Sequence, residues 1–216
     1  MYVRDIMTTK VVTIPSSASV IRARRLMEEK KLKRLPVVDK GRLVGMVTAR
    51  RLEQVALPEH PDSIWELSYG LGSIYRTRVR DVMQTNVVTA RPDMTVEEAV
   101  ALAQSKKVGA LVVVDNDNKV VGIATTNDFF YRIVNKVLGV GEPGCRIEVT
   151  GGGEGKTMEE IISVINTLGT EIITVLVVAL PNRAKKDIVI HVNSNDVTEL
   201  FAKLQAKGYK VDLRCR

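Results

Sequence analysis

The chain has 216 residues, 45% of them apolar, 26% charged and 4% aromatic, with a formal net charge of +7. This is a globular composition. No apolar run approaches the ~20 residues a membrane helix needs, and the first residues lack a signal-peptide core, so a cytoplasmic protein is expected. The charge is unevenly placed, since residues 1–52 hold 13 Lys/Arg and 4 Asp/Glu, a local surplus of +9.

In chain order the first feature is an internal repeat. "VRDIMTTKVVT" (3–13) returns as "VRDVMQTNVVT" (79–89), "LPVVD" (35–39) as "LVVVD" (111–115), and "LVGMVTARRL" (43–52) as "VVGIATTNDF" (120–129). Each copy predicts a short "VVT" strand and a turn at Pro15 or Pro92. A helix follows, starting at Ser19 or Thr95. Then come two strands, joined in the first copy by Lys40-Gly41, and a further helix. Thr95-x-x-Glu98 is a capping box. Val20, Ala23, Leu26 and Met27 form an apolar stripe that Val96, Ala99, Leu102 and Ala103 repeat. One copy holds too little core to stand alone; two can bury their sheets together.

Between the copies, "PEHPDSIWELSYGLGSIY" (58–75) predicts a packed linker helix, with box Ser63-x-x-Glu66, the stripe Ile64, Leu67, Leu71, Ile74, and Trp65 as a packing residue. Beyond residue 140 the order is β-α-β-β-α-β, which matches a ferredoxin-like sandwich. Its helix "TMEEIISVINTLG" carries the box Thr157-x-x-Glu160 and stops at Gly169, and "IITVLVVAL" (172–180) reads as a strand. The domains are therefore 1–57, 58–78 (linker), 79–139 and 140–216, an α/β (α+β) chain. Cys145 and Cys215 show no metal-ligand spacing and are expected to be reduced, partly buried small hydrophobes.

The segment "VTGGGEGKTMEE" (149–160) imitates a phosphate-binding loop. In G-x-x-x-x-G-K-[ST], counting back from Gly155-Lys156-Thr157 requires glycine at position 150, where this chain has Thr150. The following strands read as a hairpin and neither ends in a magnesium-binding aspartate, so nucleotide hydrolysis is rejected. The glycines Gly151, Gly152 and Gly153 instead suggest close backbone approach to a ligand or a partner chain.

The repeats resemble CBS domains, a family named after cystathionine β-synthase. The carrying residues are Asp5-Ile6-Met7 and Asp81-Val82-Met83, "LPVVD", and the run Gly122-Ile123-Ala124-Thr125-Thr126-Asn127-Asp128. The tail resembles an ACT domain, and the whole chain is similar to acetoin-utilisation-type regulatory proteins. The resemblance implies an adenine-nucleotide cleft between the repeats, with AMP or ATP as regulatory ligand and no catalytic cofactor. Its residues would be Ile123, Thr125, Asn127 and Asp128, with Asp128 on the ribose hydroxyls. Ile14, Leu32 and Lys33 of the first repeat would form the opposite wall. It also implies a homodimer and an amino acid or similar small ligand at the ACT-like interface.

The first repeat departs from this pattern. Gly45-Met46-Val47-Thr48 is kept, but Arg51 stands where Asp128 stands in the second repeat. Arginine cannot accept a hydrogen bond from ribose. Arg34, Thr48, Arg50 and Arg51 are candidate phosphate contacts instead. The remaining basic cluster, Arg22, Arg24, Arg25, Lys30 and Lys31, reads as a solvated helix face. His60 and His191 lie in unrelated segments, and no nucleophile–base pair, paired carboxylates or metal-ligand set stands out. The expectation is therefore a non-catalytic, allosteric ligand sensor without a metal. The alternative, nucleic-acid binding through the basic repeat, suits the charge, but the few aromatic residues give no stacking platform for single strands.

Overall fold

The structure is a computed structural model that describes residues 1–55 and 76–215. The expected linker helix, with Trp65, His60 and the box Ser63-x-x-Glu66, lies outside the described residues. The chain divides into two compact units, Met1–Phe129 and Phe130–Arg216. Among the described residues no helix is long and apolar enough to cross a membrane.

The first unit contains both repeats. In the first repeat, α1 (Val3–Ile6) is followed by α2 (Val20–Glu29), β1 (Arg34–Asp39), β2 (Arg42–Thr48) and α3 (Ala49–Val55). The second repeat gives α4 (Val79–Val82), β3 (Thr89–Ala90), α5 (Val96–Ser105), β4 (Ala110–Val114), β5 (Val120–Thr125) and α6 (Thr126–Phe129). The caps fall where the sequence places them: Ser19 Oγ accepts from the Arg22 amide, and Thr95 and Glu98 form a reciprocal box. Lys40 and Gly41 both take positive φ, 49° and 78°, the requirement of a type I′ hairpin turn. The expected "VVT" strand is short in the second repeat. In the first it reduces to an isolated parallel bridge between Ile14 and Val37.

The two repeats exchange their opening segments. Val3 is buried in the core of the second repeat with Leu111, Val113 and Ala124, whereas Val79 and Val82 lie in the core of the first with Leu35, Val37 and Val47. Backbone bonds follow the same exchange. Thr8 and Ile123 each donate an amide to the other's carbonyl, at 2.9 and 3.0 Å, as do Met46 and Gln84, at 2.9 and 2.8 Å. Glycine permits the crossing. A Cβ on Gly122 would stand 2.4 Å from Met7 Sδ, and one on Gly45 would stand 2.6 Å from Met83 Sδ. Asp5 and Asp81, which begin the repeated D-h-M motif, accept the amides of Tyr2 and Arg78 at 2.8 Å and so close the start of each crossing helix.

The second unit opens with a π-helical turn (Phe130–Val134) and α7 (Asn135–Val137). It continues as β6 (Cys145–Val149), α8 (Gly155–Thr167), β7 (Ile172–Val178), β8 (Asp187–Val192), α9 (Thr198–Ala206) and β9 (Val211–Cys215). The sheet is antiparallel throughout, in the order β7-β8-β6-β9, the arrangement of a split β-α-β sandwich. Ile147, Ile188, Ile190, Ile161, Ile165, Leu200 and Leu204 form its core. Two expectations are corrected here. Helix α8 begins at Gly155, ahead of Thr157, and Glu160 does not cap it. Its carboxylate instead accepts from Lys207 and Tyr209, which hold it below the ordinary carboxylate range, while the Tyr209 hydroxyl is pushed up by the same bond. The cysteines are not free: β6 and β9 set Cys145 directly opposite Cys215, and the two form a disulfide.

Two predictions follow from this packing. Gly122→Ala introduces overpacking against Met7, with an expected cost of about 1–3 kcal/mol, and Met7→Ala in the same chain recovers part of it. Urea denaturation of the two single variants and the double variant measures the coupling. Reduction of the disulfide, which spans 70 residues of sequence, lowers the unfolding free energy of the second unit by about 2–4 kcal/mol. Melting curves with and without dithiothreitol, alongside Cys215→Ser, check this.

Candidate functional site

The crossing of the repeats brings residues from both to the ends of β2 and β5. At the end of β5, Thr125 and Asp128 form a closed box at the start of α6. Asp128 Oδ2 accepts from the Thr125 amide at 2.8 Å and from Thr125 Oγ1 at 2.6 Å, and the Asp128 amide reaches Thr125 Oγ1 at 3.4 Å. The other carboxylate oxygen accepts from Thr8 Oγ1 at 3.2 Å, so the first repeat closes the cradle. Beside it, Thr126 donates its amide and its hydroxyl to the Gly109 carbonyl, at 3.3 and 3.1 Å. Arg34 reaches across from the first repeat: a Cβ on Gly109 would stand 2.7 Å from Arg34 Nη2 and 3.4 Å from Thr126 Oγ1. Asn127 is exposed and Ile123 half-buried, the latter paired with Thr8. A cavity of about 410 Å³ opens at Gly109 and Thr126, with apolar walls from Val100, Ala103, Leu111 and Phe129.

The 410 Å³ cavity has its first-repeat counterpart in a smaller one lined by Leu32, Ala49 and Leu52, whereas the cleft that corresponds to the Thr125–Asp128 box lies at the end of β2. It measures about 380 Å³ and is lined by Thr48, Arg50, Arg51, Gln54, Met83 and Gln84, among others. The Arg51 amide donates to Thr48 Oγ1 at 3.2 Å, so the local turn matches that of Thr125 and Asp128. Where the second repeat places a carboxylate, this cleft places a guanidinium.

The residues expected on the opposite wall take different places in the first repeat. Ile14 is 2% exposed and packed in the first repeat's core. Leu32 lines a smaller cavity of the first repeat, with Arg24, Met27, Glu28, Ala49, Leu52 and Glu53. The Lys33 carbonyl accepts from the Ala49 amide at 2.9 Å, which ties that segment to the first repeat's own helix α3. Arg34, paired through its backbone with Thr48, extends its guanidinium to the second repeat. Thr8 and Gly109 were missed by sequence reasoning. The only signal for Thr8 was its place directly after Asp5-Ile6-Met7.

The glycine loop of the second unit also changes meaning. All three amides are engaged within the chain: Gly151 with Asp187 Oδ1 at 2.7 Å, Gly152 with the Val149 carbonyl at 3.2 Å, and Gly153 with the Lys186 carbonyl at 2.9 Å. A Cβ on Gly152 would meet Ile161 and Ile188 at 2.7 and 2.8 Å. Within the chain the close approach is to the unit's own core. Asp187, 1% exposed and paired with Arg183, anchors it. Among the described residues no cluster of His, Cys, Asp and Glu could hold a metal ion.

A model of the CBS domain matches residues 3–56 and 79–135, just the segments that exchange their starts. The chain belongs to the CBS-domain family. A homoserine O-acetyltransferase of Methanohalobium evestigatum is 35% identical over 128 residues, 59% of this chain but 23% of its own length. The chain thus spans about a quarter of the first curated relatives that it matches, 23% and 24% of their lengths. Among solved structures, the CBS-pair protein CBSX2 in complex with AMP is 30% identical, with a TM-score of 0.52, covering 62% of this chain and 96% of that one. The CBS pair of protein MJ0100, in complex with 5′-methylthioadenosine and S-adenosyl-L-methionine, is 25% identical with a TM-score of 0.52, covering 63% and 98%. A protein from Vibrio cholerae assigned to acetoin utilisation, AcuB, is 28% identical with a TM-score of 0.50, covering 62% and 92%. The CBS pair is therefore the part of this chain that the solved relatives share.

Proposed function

We propose that the chain is a non-catalytic regulatory module that senses an adenine nucleotide through its CBS pair. The observation that carries this is the Asp128 carboxylate, held in place by Thr125 on one side and faced by Thr8 of the other repeat. An ionised carboxylate offers about four acceptor positions, so ribose hydroxyls can replace the long Thr8 bond without breaking the helix cap. Ile123 would border the base, and Asn127 and Thr126 the sugar and phosphate. Arg34 stands beside Gly109, where a phosphate would meet its planar fork, with Lys33 next to it in sequence. The AMP complex of CBSX2 and the methylthioadenosine and S-adenosylmethionine complex of MJ0100 support an adenosine-containing ligand. The relatives named as enzymes match over less than a quarter of their own length, so their catalysis does not transfer with the match.

Calorimetry on the full chain with adenosine, AMP, ADP, ATP and S-adenosylmethionine tests the reading. At least one should bind, and at about 100 times its Kd it should stabilise the fold by about 2.7 kcal/mol. Asp128→Ala should weaken binding about tenfold or more, the value of hydrogen bonds to a charged acceptor. Asp128→Asn keeps an acceptor for the cap and separates loss of binding from loss of stability. No binding of any of the five at millimolar concentration overturns the proposal.

We further propose that the second unit is an ACT-like pairing module. With its glycine loop engaged internally, its open feature is edge strand β7, where Ile173, Val175 and Val177 are 36%, 45% and 40% exposed. An apolar edge of this kind is the usual template for pairing with another chain. Light scattering should give a dimer mass at micromolar concentration, and Val175→Lys should shift it towards monomer. A monomer mass for the parent removes this claim.

A further inference from the structure

We propose that the cleft of the first repeat is a second ligand site, with inverted polarity, that takes a polyphosphate group and has no use for a ribose. This goes beyond the adenine-nucleotide reading, which concerns Asp128 in the other repeat. The two clefts share one backbone plan: a threonine at the strand end accepts from the amide three residues on, at 3.2 Å in the first repeat and 3.4 Å in the second. They differ in the group at that third residue. Asp128 can only accept, and Arg51 can only donate. Arg50 lines the same cleft, and Gln54 and Gln84 add carboxamides; among the described residues no carboxylate lines it.

The guanidiniums of Arg50 and Arg51 have no carboxylate partner among the described residues. Elsewhere such pairs form: Arg24 with Glu28 at 3.0 Å, and Arg183 with Asp187 and Glu148. Both side chains are exposed, so solvent and salt screen part of their mutual repulsion, and an anion between them relieves what remains. A chain of phosphates supplies several acceptor oxygens at the spacing of guanidinium forks. The cavity of about 380 Å³ has room for a di- or triphosphate. The surplus of +9 in residues 1–52 raises the local concentration of such an anion. The polyphosphate can be free or the tail of a nucleotide, and the two sources are separable by experiment.

The experiment is calorimetry on the full chain with sodium tripolyphosphate, pyrophosphate, orthophosphate, ATP and adenosine, at low and moderate salt. Tripolyphosphate should bind, more tightly than orthophosphate and less tightly as salt rises. Arg50→Gln and Arg51→Gln should each weaken it about tenfold or more, while leaving adenosine unchanged. Arg25→Gln, the same charge change on an exposed position of α2 outside the cleft, should have little effect. Asp128→Ala should leave tripolyphosphate binding intact. If ATP but not free tripolyphosphate is weakened in the two arginine variants, the source is the nucleotide tail. The proposal is overturned if neither is weakened, if Arg25→Gln weakens them equally, or if Asp128→Ala abolishes tripolyphosphate binding. Loss of adenosine binding alone would leave this site standing and remove the reading of the second repeat.

Discussion

The first unit depends on the reciprocal crossing of Met7 over Gly122 and Met83 over Gly45. Each methionine sulfur occupies the space a Cβ would need on the opposite glycine. Without the crossing, Val3 would leave the second core and Val79 and Val82 the first, and each repeat would lose apolar contacts that its own sequence does not replace. Two small repeats thus become one cooperative body, each core completed by the other repeat's first helix. The same crossing creates the candidate clefts, because Thr8 arrives at Asp128 and Gln84 arrives at Met46 only as part of the exchange.

Symmetry of backbone with asymmetry of charge then sets what each cleft can recognise. The threonine caps are alike, so the difference rests on Asp128 and Arg51. The carboxylate is satisfied locally by Thr125, which fixes its position. Arg34 couples the two ends of the unit. Its backbone pairs with Thr48 in the first repeat, and its guanidinium rests against Gly109 in the second.

The second unit is held by different means. Its loop of glycines is drawn onto β8 by the buried Asp187, and its terminal strands are joined by the cystine. The cystine ties β6 to edge strand β9, while β7 at the opposite edge keeps its apolar residues open.

The sequence by itself determined the repeat, its caps, the Lys40-Gly41 hairpin, the β-α-β-β-α-β order, and the contrast between Asp128 and Arg51. These are local or periodic features, set by hydrogen bonds within a few residues and by which face of an element is apolar. Only the tertiary structure decided which residues meet across long separations. Nothing near Met7 announces Gly122, because a glycine chosen for close approach looks the same in sequence as one chosen for a turn. At Gly151–Gly153 the close approach within the chain is to the unit's own core, which the sequence alone does not distinguish from approach to a ligand. Cys145 and Cys215 became partners through the register of two strands at opposite ends of the unit, and strand register depends on the packing of a whole sheet.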